Sequence, residues 1–216
     1  MQTRLYQQEL ARQIAADLLD IGAIKLQPNE PFTWASGWKS PIYCDNRLSL
    51  SFPDVRTRIK DAFCEVVQKE FPEAEGIAGV ATAGLPQGAI IADKLALPFL
   101  YVRSKSKSHG LENQIEGKLS KGQKVVVVED LVSTGGSSIK AVDAIRAAGG
   151  EVLGMISIFT YGFKQAEENL AKSQVDLIHL SDYSTLVEHA LTNGNIEPDQ
   201  KELLDQWRKE PEVWTN

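Results

Sequence analysis

Residues 125–128 are four consecutive valines, and two acids follow them in the segment KVVVVED (124–130). β-Branched side chains favour extended backbone. A strand that is apolar on both sides must be covered on both faces, which is the situation of a parallel sheet lying between two layers of helix. Strand patterns recur at 76–82, 98–103, 151–160 and 176–182, and helical patterns lie between them at 84–95, 137–148 and 162–172. This βαβ rhythm predicts an α/β fold with a mostly parallel central sheet flanked by helices. Upstream, Leu10, Ile14, Leu18 and Ile21 form a helical stripe over 3–21. Val55, Ile59, Phe63, Val66 and Val67 mark a second helix over 54–70. No linker interrupts the chain. Residues 1–53 are read as an N-terminal helix and aromatic segment appended to an α/β core of 54–216. The tail of that core is helical from 198 to Pro211, with Trp207 and Trp214 packed on the body.

The chain has 216 residues and a formal charge of −6, with Cys44 and Cys64 its only cysteines. The two cysteines match no paired metal-ligand pattern, so a reduced, cytoplasmic protein is expected. The first residues lack the apolar stretch of a signal peptide, and no run of apolar residues is long enough to span a bilayer. The acidic balance argues against a general nucleic-acid binder, because phosphate backbones select basic surfaces.

In an open α/β sheet, ligands bind beyond the carboxyl ends of the strands. The valine strand ends in Glu129 and Asp130 and runs into Leu131, Val132, Ser133, Thr134, Gly135, Gly136 and Ser137, where a helix begins. Two adjacent acids at a strand end can accept hydrogen bonds from vicinal hydroxyls or face a metal ion. The glycines permit left-handed backbone, so the loop amides can converge on a phosphate at the helix N-terminus. The loop carries neither the P-loop nor the dinucleotide glycine pattern. The competing reading is a plain βα turn with a serine cap. Capping does not account for two acids beside a phosphate nest, whereas a ribose phosphate, with hydroxyls and phosphate together, does.

Residues 103–109 place Arg103, Lys105, Lys107 and His109 at every second position, with serines between them. In extended backbone all four side chains share one side. Removing the three formal cations of this strip from the total leaves the rest of the chain at −9. The strip suits a solvated loop or, since like charges repel, a multiply charged anion such as pyrophosphate on which it closes. Residues 32–47 (FTWASGWKSPIYCDNR) combine turn residues with Phe32, Trp34, Trp38 and Tyr43, a composition suited either to a slot for a planar base or to a lid packed on the core. His179, in an apolar strand, is read as a satisfied core histidine. His189 is read as a surface residue, and Cys44 as buried within the aromatic segment, with a ligand contact the alternative.

The strand, acid pair and Thr-Gly loop of 124–137 resemble the signature of the type I phosphoribosyltransferases. The resemblance implies that Glu129 and Asp130 hold the ribose hydroxyls of phosphoribosyl pyrophosphate and that Leu131 to Ser137 hold its 5-phosphate. Arg103, Lys107 and His109 are similar in spacing to the catalytic loop of the orotate phosphoribosyltransferases. The Phe-Thr-x-x-Ser-Gly-x-x-Ser-Pro pattern of 32–41 resembles the N-terminal hood of the same group. The likeness implies transfer of a phosphoribosyl group to orotate, giving orotidine 5′-monophosphate and pyrophosphate. Arg103, Lys107, His109 and Asp130 would be catalytic, with Lys105 a further pyrophosphate contact. Ser133, Phe32 and Tyr43 would contact orotate. Mg²⁺ would arrive with the substrate, with Glu129 and Asp130 its candidate protein partners. The resemblance also implies a homodimer in which the 103–109 loop completes the partner's site.

Three positions depart from relatives: Ala35 where many have lysine, no arginine after 151–160 where some carry one, and Thr82-Ala83-Gly84-Leu85-Pro86, which resembles the pyrophosphate-contacting loop, where some show Tyr-Lys. Lys39 or Lys25 would have to stand in for the first. Two alternatives stay open, a phosphoribosyltransferase for another base and a non-catalytic regulator that binds phosphoribosyl pyrophosphate. The hood pattern weighs against the former, and the acidic remainder of the chain weighs against the latter.

Overall fold

The computed structural model describes residues 2–34, 37–104 and 114–214. In chain order it begins with β1 (Thr3–Leu5), α1 (Gln8–Asp20), β2 (Ile24–Leu26), β3 (Phe32–Thr33), β4 (Lys39–Ser40) and β5 (Ile42–Cys44). A 3₁₀ turn at Asn46–Ser51 leads into α2 (Pro53–Glu70), β6 (Gly76–Val80), α3 (Gly84–Leu95), β7 (Phe99–Val102) and β8 (Ile115–Glu116). Then come β9 (Lys124–Val132), α4 (Gly136–Ala147), β10 (Glu151–Thr160), α5 (Lys164–Lys172), β11 (Leu177–Asp182), α6 (Tyr183–Thr192) and α7 (Pro198–Lys209). Seven strands form one sheet in the order β1-β11-β10-β9-β6-β7-β8, with β8 antiparallel to β7 and the other neighbours parallel.

The valine strand lies at the centre of that sheet, and its four valines divide between two cores. Val126 and Val128 pack with Ile156, Ile178 and the helix residues Ile14, Ile59 and Phe63. Val125 and Val127 pack with Met155, Leu177 and the α4 residues Val142 and Ile145. Strand side chains alternate between faces, so an uninterrupted apolar run is what a two-sided burial requires. The mostly parallel architecture and its flanking helices agree with the sequence reading. Among the described residues, no helix is long and apolar enough to cross a membrane.

The helix expected over 3–21 starts later than its stripe suggested. Residues Thr3–Leu5 are an edge strand, paired in parallel with Leu177, Ile178 and His179 of β11. Local periodicity could not see a partner about 170 residues away. The residues before 54 therefore do two different jobs. β1 and α1 belong to the main sheet and its covering layer, while β2–β5 and β3–β4 form two small antiparallel sheets. β9 continues two residues past Asp130, and α5 starts at Lys164 rather than 162. Trp207 is fully buried, and Trp214 packs partly buried against the core, both as expected. His179 is buried, but its Nδ1 has no hydrogen-bond partner among the described residues. Burial pushes its imidazole pKa down, so the ring stays neutral. His189 is half-buried and bonds Asn193.

Candidate active site

Strands β7, β6, β9 and β10 run in one direction, so their carboxyl ends form one edge of the sheet. The loops leaving that edge begin at Ala81, Arg103, Ser133 and Tyr161. α3 lies close against this edge because Gly84 allows it: a Cβ there would stand 2.3 Å from the Val128 carbonyl oxygen. Thr82, in the preceding turn, is exposed. Gly135 precedes α4 at φ +79, a left-handed conformation that side chains resist. No side chain among the described residues caps the first turn of α4. The serine cap that a plain βα turn would use is therefore not made, and the helix presents its first amides to the loop.

The two acids stay in contact, the Asp130 amide donating to Glu129 Oε1 at 3.3 Å, but they are anchored differently. Glu129 is buried, and its Oε2 accepts a hydrogen bond from the Ser138 hydroxyl on α4 at 3.0 Å. Asp130 lies toward the N-terminal segment, where the side-chain amide of Asn46 donates to its main-chain oxygen at 2.8 Å. Burial, reinforced by the neighbouring Asp130 charge, pushes Glu129 up to about 8. Burial also raises Asp130, with the Arg47 charge among the influences that oppose the rise. Leu131 turns to the N-terminal side, and Val132 is buried with its carbonyl accepting from Thr160 Oγ1 at 2.9 Å. Ser133 and Thr134 are half-buried, Gly135 is buried, and Gly136 and Ser137 are exposed.

Arg103 stands where β7 ends. Its backbone amide donates to the Gln114 carbonyl at 2.8 Å, and its guanidinium lies 3.5 Å from Glu116 of β8. Both side chains are about one-third exposed, so this pair is a weak tether. Lys105, Lys107 and His109 lie outside the described residues, as does Ala35.

Above the carboxyl edge is a cavity of about 290 Å³ lined by Thr33, Trp34, Tyr43, Cys44, Leu131, Ser133 and Tyr161. It joins the N-terminal segment to the ends of β9 and β10. Tyr43 and Ser133, both expected at a base slot, line it together. Phe32 is not among the lining residues and instead packs on Tyr43, with ring centroids 5.6 Å apart. Cys44 is half-buried and donates toward Asn46 Oδ1 at 3.2 Å, and burial holds its thiol well above the usual range, hence protonated. Lys39 reaches the rim, where its ammonium donates to Thr33 Oγ1 at 3.0 Å. Lys25 is exposed on β2.

Sequence reasoning did not single out Thr33, Tyr161 or Asn46. Asn46 carried no visible signal, because its role is to bridge the N-terminal segment to Asp130 across 84 positions. Tyr161 carried a faint one, a polar-tipped aromatic directly after an apolar strand, and the structure buries it. The walls suit a flat, largely apolar ring bearing a few polar groups. The acids and the uncapped loop suit a sugar phosphate beside it.

A family model described as phosphoribosyl transferase domain matches residues 57–187. The chain is 56% identical over 203 residues to the orotate phosphoribosyltransferase of Cytophaga hutchinsonii, covering 94% of this chain and 97% of that one. It is 58% identical over 205 residues to the orotate phosphoribosyltransferase of Bacillus subtilis, covering 95% of each. Among solved structures, the orotate phosphoribosyltransferase of Aeropyrum pernix matches with a TM-score of 0.74 and 32% identity, covering 85% of this chain and 99% of that chain.

Proposed function

The chain belongs to the phosphoribosyltransferase family, and on that premise we propose that it transfers the phosphoribosyl group of phosphoribosyl pyrophosphate to orotate. The products are orotidine 5′-monophosphate and pyrophosphate. The observation that carries this reading is the junction of two unlike half-sites at one sheet edge. An acid pair and an uncapped helix start lie on one side, and an aromatic cavity closed by the N-terminal segment lies on the other. Relatives named for the same reaction run along nearly the whole chain.

The bond from the anomeric carbon to pyrophosphate breaks as a ring nitrogen of orotate bonds to that carbon, through an oxocarbenium-like transition state. Positive charge grows on the ribose, and the two acids accept its hydroxyls and stabilise that charge, Glu129 giving up on substrate binding the proton that burial holds on it in the free protein. Leu131 and Val132 are held in the β9 ladder, so the amides of Ser133 to Ser137, at the positive end of α4, receive the 5-phosphate. Arg103, Lys105, Lys107 and His109 offset the charge that accumulates on departing pyrophosphate. Orotate lies between Tyr43 and Ser133, with Phe32 behind Tyr43.

No cluster of three metal-ligating side chains exists among the described residues. The two adjacent carboxylates fit a hard cation that comes with the substrate. Glu129 and Asp130 would then face Mg²⁺, which when bound supplies positive charge to the pyrophosphate oxygens. A cytoplasmic enzyme fits two cysteines that are not joined to each other.

The direct test measures loss of orotate absorbance with phosphoribosyl pyrophosphate and Mg²⁺, using adenine, guanine and uracil as controls. Consumption of orotate alone is expected, and consumption of a purine in its place overturns the acceptor assignment. We also propose a homodimer in which the 103–109 strip completes the partner's site. Mixed Lys107→Ala and Asp130→Ala subunits then regain activity that neither has alone. No recovery after confirmed subunit exchange rules that sharing out.

A further inference from the structure

The last helix reaches the aromatic cavity from the far end of the chain. α7 starts at Pro198 with a reciprocal cap in which the Glu197 side chain meets the third helical amide and the Gln200 side chain meets the Glu197 amide. Most of its surface is polar, and its buried residues are Leu204 and Trp207. Complete burial of a tryptophan is uncommon, because the ring is large and its N–H needs an acceptor. Here the acceptor is the main-chain oxygen of Lys39, 3.1 Å away on β4 and separated by 168 positions.

The ring contacts reach the cavity directly. Trp207 packs edge-to-face with Trp34 at 5.6 Å between centroids and with Tyr161 at 5.8 Å, with interplanar angles of 81° and 80°. Trp34 and Tyr161 also touch each other at 5.3 Å. These two are cavity-lining residues supplied by different parts of the chain, one by the N-terminal segment and one by the end of β10. The Lys39 bond adds a third route, since Lys39 pairs with Thr33 in the β3–β4 ladder and Thr33 lines the same cavity. The next residue, Arg208, donates to the Tyr161 carbonyl at 3.1 Å and to the Ser184 hydroxyl at 2.6 Å. α7 therefore pins both the ring and the backbone of Tyr161. Nothing comparable joins α7 to the Ser133–Ser137 loop among the contacts of the described residues.

We propose that Trp207 is a positioning residue for the acceptor: it fixes Trp34, Tyr161 and the β3–β4 hairpin as one wall, so that orotate binding depends on α7 while phosphoribosyl pyrophosphate binding does not. The proposal rests on the reading of the cavity as the orotate site. Edge-to-face ring pairs and a buried N–H bond hold rings in one relative orientation, and a planar ligand is sensitive to the angle and spacing of the walls that contain it.

The test is steady-state kinetics on the full chain, with orotate and phosphoribosyl pyrophosphate varied separately. Trp207→Leu is expected to raise the KM for orotate between about tenfold and a hundredfold, the penalty typical of a misplaced site. The KM for phosphoribosyl pyrophosphate should move by less than about twofold, because its loop is untouched. Trp207→Phe keeps an aromatic ring and loses the bond to Lys39. It should raise the orotate KM roughly two- to tenfold, the worth of one hydrogen bond, and it carries the test if the leucine variant does not fold. A residue with only a structural role would weaken both substrates in parallel or lower Tm with both KM values unchanged, and either result overturns the proposal. Ser133→Ala separates the cavity reading from the role of Trp207. If it raises the orotate KM while the Trp207 variants do not, the cavity reading stands and the role of Trp207 falls. If none of the three variants moves it, both fall.

Discussion

The two halves of the site are built by opposite means. The sugar-phosphate half is one continuous stretch, Glu129 to Ser137, set by the end of a central strand, a left-handed glycine and the start of a helix. The aromatic half is gathered from residues 33–34, 43–44, 131, 133 and 161, and is braced from behind by Trp207. A phosphate is the same in every substrate of this chemistry and is well served by backbone amides. A base differs from one acceptor to another and is read by side chains, which can be drawn from anywhere. The halves meet at Leu131 and Ser133, which belong to both, and away from those two residues each can be perturbed without the other.

The largest expected loss lies in the basic strip that serves the leaving group. Lys107→Ala should lower kcat by at least about tenfold and up to ~10³, the usual range for removing a preorganised charge. The circular dichroism spectrum and the orotate KM should stay near wild type. Normal turnover in that variant would remove the strip from the mechanism.

Glu129 gives a stability signature instead. Its folded value of about 8 lies above the ordinary 4.5, so between those values the folded protein holds a proton that the unfolded chain has lost. Stability contributed through this group consequently declines as pH rises through that window. Glu129→Gln removes the cost of burying a carboxylate. At about pH 9 it should stabilise the fold by on the order of a few kcal/mol, read as a Tm above wild type, and at about pH 5 the two Tm values should nearly coincide. A gain at low pH alone would contradict the burial argument. The variant should also weaken phosphoribosyl pyrophosphate binding, since it cannot supply a carboxylate.

Gly135→Val forces a β-branched residue into left-handed backbone and should cost roughly 1–3 kcal/mol, expressed mainly as weaker phosphoribosyl pyrophosphate binding in a titration. Equal weakening of orotate binding would mean that the two halves are not separable. The smallest effect belongs to Ser133→Ala, a roughly two- to tenfold rise in the orotate KM for one lost hydrogen bond.

The same contrast governs what could be read from the sequence. The valine run, the acids and the glycine-rich loop are neighbours along the chain, and their physics is local. Alternation, capping and positive φ belong to short segments, so the central strand, α4 and the loop were all legible. β1 was not, because Thr3–Leu5 carry no strand pattern of their own and are extended only through pairing with residues 177–179. The cavity was half legible. Tyr43 and Ser133 were named from composition and motif, but Phe32 came from the same aromatic cluster and packs one layer behind. Tyr161, Asn46 and the hydrogen bond from Trp207 to Lys39 depend on contacts spanning most of the chain. A sequence records such contacts only as burial, as it did for Trp207.

The main sheet is widest at its centre and ends in its shortest strands. β1 has three residues and β8 two, against nine and ten in β9 and β10. An exposed strand edge is a template on which another chain can polymerise, and short edges are one means of blunting it. At high concentration this sheet offers little backbone for unwanted growth. The homodimer proposed above would then form through side-chain surfaces, where recognition is selective, and not by continuing the ladder.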